Sequence, residues 1–129
     1  MNDEPTGPLV TAIHHVSLLV ADTAAALAFY EGLLGLEREP ARPDLGYPGA
    51  WLWLGDRQLH LIELPNPDPV TARPAHAGHD RHLALRVSDI DTLQQRLEAA
   101  GIPCTRSRSG RAALFCRDPD GNGLEFIGG

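Results

Sequence analysis

The sequence predicts an α+β fold: two tandem βαβββ modules forming a cupped, mostly antiparallel eight-stranded sheet, with the helices on its convex face. Three observations carry this. The first is an internal repeat at a shift of about 65 residues, and a tandem repeat means that one structural unit is used twice. Residues 15–22 lie over residues 82–89, Gly35 answers Gly101, and residues 59–62 answer residues 124–127. The second is a change of period inside each copy, from the alternation of a strand to the stripe of a helix. The third is phase. His15, His60, His82 and Glu125 each fall out of step with the apolar residues beside them, so all four point to the sheet face away from the helices.

The elements follow in order. Residues 1–10 are polar and proline-rich and read as a flexible tail. The first module spans 11–64. Val16, Leu18 and Val20 alternate as a strand, and Asp22-Thr23 supplies the N-cap of a helix over 24–34. Phe29, Tyr30, Leu33 and Leu34 offer that helix an apolar face, and Gly35 ends it. Strands at 50–54 and 58–64 turn through Gly55-Asp56-Arg57. Residues 65–80 hold four prolines and read as a surface linker. The second module, 81–129, repeats the plan. Leu83, Leu85 and Val87 alternate; Asp89 caps a helix striped by Ile90, Leu93, Leu97 and Ala100, which Gly101 ends. Strands at 103–107, 112–117 and 123–127 follow, the last two joined by the turn chemistry of 118–123.

Composition bounds the function. A chain of 129 residues supports one domain with a full core, and 43% hydrophobic with 22% charged residues is ordinary for a globular protein. A net charge of −6 argues against nucleic acid as the partner. No apolar run approaches the roughly 18 residues of a membrane span, and no signal pattern opens the chain, so a cytoplasmic protein is expected. Arg106, Arg108 and Arg111 surround Ser109-Gly110, either as a solvated hairpin tip or with one of them meeting an anionic substrate group. Cys104 and Cys116 are equidistant from Gly110, so a hairpin turning there sets them opposite each other. In a reducing cytosol they are read as small apolar residues. Asp118-x-Asp120-x-Asn122-Gly123 imitates the start of a calcium loop, but its closing glutamate would fall on Gly129 and Pro119 sits inside it, so it is a turn.

Three imidazoles and one carboxylate in symmetric register make a donor set for one divalent ion: Fe, Zn, Ni, Co or Mn. His15, His60, His82 and Glu125 are the candidate ligands, converging on one concave pocket if the sheets curl together. His14 points to the opposite face, His76 and His79 fall in the linker, and Glu63 lies three residues past His60 and so faces away from it. Glu125, the one carboxylate of the set, doubles as a base if it leaves the metal. His60 is either the fourth ligand or, swung free, a proton acceptor near neutral pH. Trp51, Trp53 and Phe115 on neighbouring strands wall the pocket, or belong to the core. Tyr47 and Arg86 are candidate substrate contacts. Arg86 shares the face of His82 and needs an anionic partner, either Glu125 or a substrate carboxylate.

With the repeat, Phe29-Tyr30-x-x-Leu33-Leu34-Gly35-Leu36 and Asp118-Pro119-Asp120-Gly121-Asn122-x-Leu124-Glu125 in view, the chain resembles the vicinal oxygen chelate superfamily over residues 11–128. That superfamily includes glyoxalase I, methylmalonyl-CoA epimerase, extradiol dioxygenases and the fosfomycin and bleomycin resistance proteins. The resemblance implies metal ligands on the first and last strand of each module, which are the same four residues. It implies a lyase, isomerase or dioxygenase whose small organic substrate chelates the metal through adjacent oxygens. The alternative it offers is a metal-free binding protein of the bleomycin-resistance type that sequesters a small molecule. Glyoxalase I carries glutamate and the epimerases glutamine where this chain has His60. Extradiol dioxygenases and fosfomycin-type transferases use only the His, His, Glu set matched by His15, His82 and Glu125. The resemblance also implies a homodimer, its cup built within one chain or by exchange of modules between two.

Overall fold

Alternating residues become strands where the period of two is found. The computed structural model describes residues 3, 4 and 6–128; of the tail expected over 1–10, positions 1, 2 and 5 lie outside the described residues, as does Gly129. In the first half, β1 (His15–Leu19), β2 (Gly49–Leu54) and β3 (Arg57–Ile62) form a sheet of order β1-β3-β2. In the second half, β4 (His82–Val87), β5 (Thr105–Arg106), β6 (Ala113–Arg117) and β7 (Gly123–Gly128) form a sheet of order β4-β7-β6-β5. The pairs β1–β3 and β4–β7 are parallel and the other three antiparallel.

The single eight-stranded sheet is corrected to seven strands in two sheets. The eighth position is taken by a fragment. Arg38 makes one bridge to Leu52, Glu39 N donates to Trp51 O at 2.8 Å, and Trp53 N donates to Glu37 O at 2.8 Å. Pro40 follows at once, has no N–H to give, and stops the pairing there. Among the described residues β1 and β4 stand at the ends of their sheets and do not pair with each other.

The helices lie on the sheets' inner faces. The first, expected over 24–34, is an α-helix α1 (Thr23–Leu27) that widens into a π-helical turn at Ala28–Leu33. Asp22 caps it by accepting from Ala24 N and Ala25 N. Gly35 ends it at φ +77°, a conformation that favours glycine. The second, α2 (Ile90–Ala99), is capped by Asp89 through Thr92 N. Helix α1 packs on β2 and β3, and α2 on β6 and β7. Leu52, Leu59 and Leu61 of one half join Leu97, Leu124 and Phe126 of the other in one core. Tyr30, delivered by the π-helical turn, crosses between halves and donates its hydroxyl to the buried Asp118 at 2.6 Å. Burial, reinforced by the Asp118 charge, pushes the Tyr30 pKa far up, so the hydroxyl stays a donor.

The linker crosses the outer face of the second sheet. Arg117 on β6 fastens it, donating to Asp80 Oδ2 at 3.0 Å and to Pro74 O at 2.6 Å. A short 3-10 turn, Ala77–His79, then lies against β6 and β7. The strand register sets Cys104 opposite Cys116, one step beyond the Thr105–Phe115 pair, and both thiols are free. Burial pushes Cys116 up to about 12, which makes it unreactive.

Candidate metal centre

Strand phase does what the alternation predicts. On β3, Leu59 and Leu61 are buried inward while His60 faces out; on β7, Leu124 and Phe126 are buried inward while Glu125 faces out. His15 and His82, the first residues of β1 and β4, are exposed on the same outer faces. The chain brings these four together as two pairs. Among the described residues no three His, Cys, Asp or Glu side chains form one metal-holding group.

The first pair is His15 with His60. Their rings are 4.1 Å apart and 20° from parallel, and Trp51, paired with His60 across β2–β3, stacks on it at 4.4 Å and 9°. The two rings lie nearly face to face, so their nitrogen lone pairs run side by side, and one ring must turn about its side-chain torsions for both to meet one ion. The Gln58 carboxamide oxygen accepts from His60 Nε2 at 2.8 Å, which leaves Nδ1 as the nitrogen with the lone pair. Burial first, then the nearby His15, His14 and Arg42, lowers the His60 pKa and favours the neutral, metal-binding form.

The second pair is His82 with Glu125. His82 Nδ1 lies 2.9 Å from Asp80 O, and a carbonyl only accepts, so Nδ1 carries a proton, and in the neutral ring the Nε2 lone pair is free. That Nε2 is 3.1 Å from Glu125 Oε1. A lone pair facing a carboxylate oxygen needs a cation or a proton between them. Donors about 2.1 Å from one ion at adjacent positions are about 3 Å apart, which is the spacing found. The donor chemistry thus fits a divalent metal, and the Asp80 carbonyl is the kind of outer partner that orients a ligating histidine.

The remaining expected residues separate. Trp51 is half-buried in the ring stack and Trp53 is 37% exposed on the same face. Phe115 is on the outer face of β6 but buried under the linker, against His76 at 4.6 Å, with His82 at 5.8 Å. It is a floor between the linker and His82. Arg86 is exposed on β4 opposite Ile127. The arginine on Glu125 is Arg111, whose Nη2 reaches Oε2 at 2.6 Å from the tip of the β5–β6 hairpin. Arg106 turns instead to Asp91 and Gln94 on α2. His14 is exposed, with its Nδ1 2.9 Å from that of His15, rather than packed on the helix side. Glu63 accepts from Thr23 N at 2.8 Å and serves the start of α1.

Sequence reasoning passed over Gln58, Asp80 and Arg42. Gln58 and Asp80 each stand two residues before a histidine, and a period of two was signal enough for Gln58. Arg42 sits in an irregular loop that no periodicity reaches.

Comparison with known proteins gives the family. The family model described as the Glyoxalase/Bleomycin resistance protein/Dioxygenase superfamily matches residues 12–126. Glyoxylase I 4 of Arabidopsis thaliana is 28% identical over 132 residues, spanning 98% of this chain and 76% of its own length. Glutathione transferase FosA of Serratia marcescens is 31% identical over 121 residues, spanning 92% and 81%. A crystal structure of a glyoxalase family protein from Bacillus anthracis superposes with a TM-score of 0.77 at 26% identity, covering 95% of this chain and 98% of that one. The doubled module, the outward His/His and His/Glu pairs and the matched span lead to one conclusion: the chain belongs to the glyoxalase/bleomycin resistance protein/dioxygenase superfamily.

Proposed function

We propose that the protein is a divalent-metal-dependent enzyme whose small organic substrate chelates the metal through adjacent oxygens, and that the site is completed between two copies of the chain. The observation that carries the reading is the His82 Nε2–Glu125 Oε1 contact at 3.1 Å, with the imidazole proton held on the far side by Asp80. A sequestering pocket has no use for such a pair. Relatives named as a glyoxylase and a glutathione transferase support an enzyme over a binding protein.

One chain offers two donors at each place, whereas a transition ion takes four or more ligands. One member of each pair, His15 or His82, opens an end strand, β1 or β4, and its companion, His60 or Glu125, lies on the adjacent strand, β3 or β7, with Leu9, Val10 and Ile13 exposed just ahead of β1. Setting β1 of one copy beside β4 of another brings His15 and His60 to His82 and Glu125 twice over, as a two-fold contact requires. The bound ion would supply Lewis acidity to the chelated substrate. Around it, Glu125 is the one carboxylate able to take a proton, and Arg111 steadies its charge. His60 is held neutral, as ligand or as acceptor. Trp51 backs His60 and keeps water from that side of the ring.

Elemental analysis of anaerobically purified protein tests this, beside a His15→Ala/His82→Ala variant. About one equivalent of iron, zinc, nickel, cobalt or manganese per chain, lost in the variant, is expected. No metal in either protein, even after reconstitution, would leave a metal-free binding cup.

A further inference from the structure

Arg42 lies in the loop before β2, outside both ligand pairs, and its charge is unanswered. Its Nη2 donates to Tyr47 O at 2.9 Å and its guanidinium sits 5.4 Å from the centre of the Tyr47 ring. Its Nε–H is buried and meets no acceptor. No carboxylate among the described residues pairs with it, although the chain has 17 acidic residues against 11 basic ones. A half-buried guanidinium without a counter-ion is held at a cost, and that cost is recovered when an anion arrives.

Its position gives the anion a place. Gly49 is in phase with Trp51 on β2, and a Cβ there would come 3.0 Å from Arg42 Nη2. The guanidinium therefore rests against the outer face of the first sheet, two residues along β2 from the Trp51–His60 stack. It is near enough that its charge contributes to holding His60 neutral. An ion beside Arg42 gives this corner a surplus of positive charge in a chain of net charge −6. Guanidinium binds a carboxylate through a fork of N–H donors; Nε is shielded and one Nη2 hydrogen goes to Tyr47 O, so the fork left for a ligand is the pair of Nη groups.

We propose that Arg42 receives a second carboxylate on the substrate, remote from the oxygens that chelate the metal, so that the substrate class is a small dicarboxylate or keto- or hydroxydicarboxylate. This rests on the metal reading given above. The competing role is a brace that only holds the loop through Tyr47.

Malate and its 4-amide, β-malamate, separate the two roles, because both present the same hydroxycarboxylate and differ only in the distal charge. The chain's two tryptophans, Trp51 and Trp53, both on this face, report binding by fluorescence. Titrations use zinc-loaded and EDTA-treated full-length protein, with zinc content measured separately. Wild type is expected to prefer malate by about tenfold or more, the scale of a charged hydrogen bond. Arg42→Met should lower malate affinity to the level of malamate and leave malamate affinity unchanged, while Arg42→Lys keeps part of the preference. Equal binding of the two by wild type in both forms overturns the proposal. So does a parallel loss of malate and malamate in Arg42→Met, which marks a brace. If no zinc binds yet the preference persists in EDTA-treated protein, the metal reading fails and the anion receptor stands.

Discussion

A single proton decides the chemistry at His82. Because the Asp80 carbonyl can only accept, Nδ1 carries a proton, and the 3.1 Å contact of Nε2 with Glu125 holds either a second proton or a cation. Glu125 in turn divides its two oxygens, Oε1 toward His82 and Oε2 toward Arg111 at 2.6 Å. Arg111 is 60% exposed, so its contribution is screened, yet it is a positive charge placed where a cation is to bind. Arg111→Met is therefore expected to tighten zinc binding by roughly three- to tenfold in calorimetric titration. A weaker variant would show instead that Arg111 positions the carboxylate. On the other sheet the His15–His60–Trp51 stack restrains each ring by its neighbour, so the proposed ligation would turn one imidazole out of the stack.

At the scale of elements, the π-helical turn at Ala28–Leu33 links local geometry to the packing of the halves. Its wider turn brings Tyr30 inward, where the hydroxyl meets Asp118 of the turn before β7. Asp118 also accepts from Asn122 Nδ2 and from the backbone of Asp120 and Asn122. Tyr30→Phe deletes one donor to a buried carboxylate and is expected to cost about 1–3 kcal/mol in urea unfolding, with the fold retained. A loss below the error of extrapolation would mean that Asp118 is satisfied by Asn122 and the backbone alone. The sequence made much of this legible. Alternation placed β1, β3, β4 and β7 and the outward phase of His15, His60, His82 and Glu125, because one buried face forces period two. Asp22, Asp89, Gly35 and Gly101 marked the helix ends through capping chemistry. The π-helical widening left no trace, since its cause is the tertiary partner of Tyr30, 88 residues away. The missing eighth strand follows from Pro40, a local signal that the repeat obscured. Linker placement over Phe115 depends on Arg117 reaching Asp80 and Pro74, contacts that no pattern in 65–80 encodes.

For the whole molecule, the proposed site makes one chain half of each of two sites. The shared core fixes the two modules together, while among the described residues β1 and β4 stand at the ends of their sheets, unpaired by one another, each bearing one member of a candidate ligand pair whose other member is on the neighbouring strand, β3 or β7. The proposed isologous pairing of copies would close both edges and build two equal sites, which would make metal binding and association linked equilibria. Complementation between defective copies tests this most directly. A His15→Ala/His60→Ala chain and a His82→Ala/Glu125→Gln chain are each purified, then mixed under conditions that exchange subunits, and bound zinc is counted on the isolated heterodimer. The site shared between copies predicts no tight zinc on either variant alone and one tight ion on the heterodimer, since one of its two sites regains all four ligands. A heterodimer that holds no more zinc than its parents would contradict it.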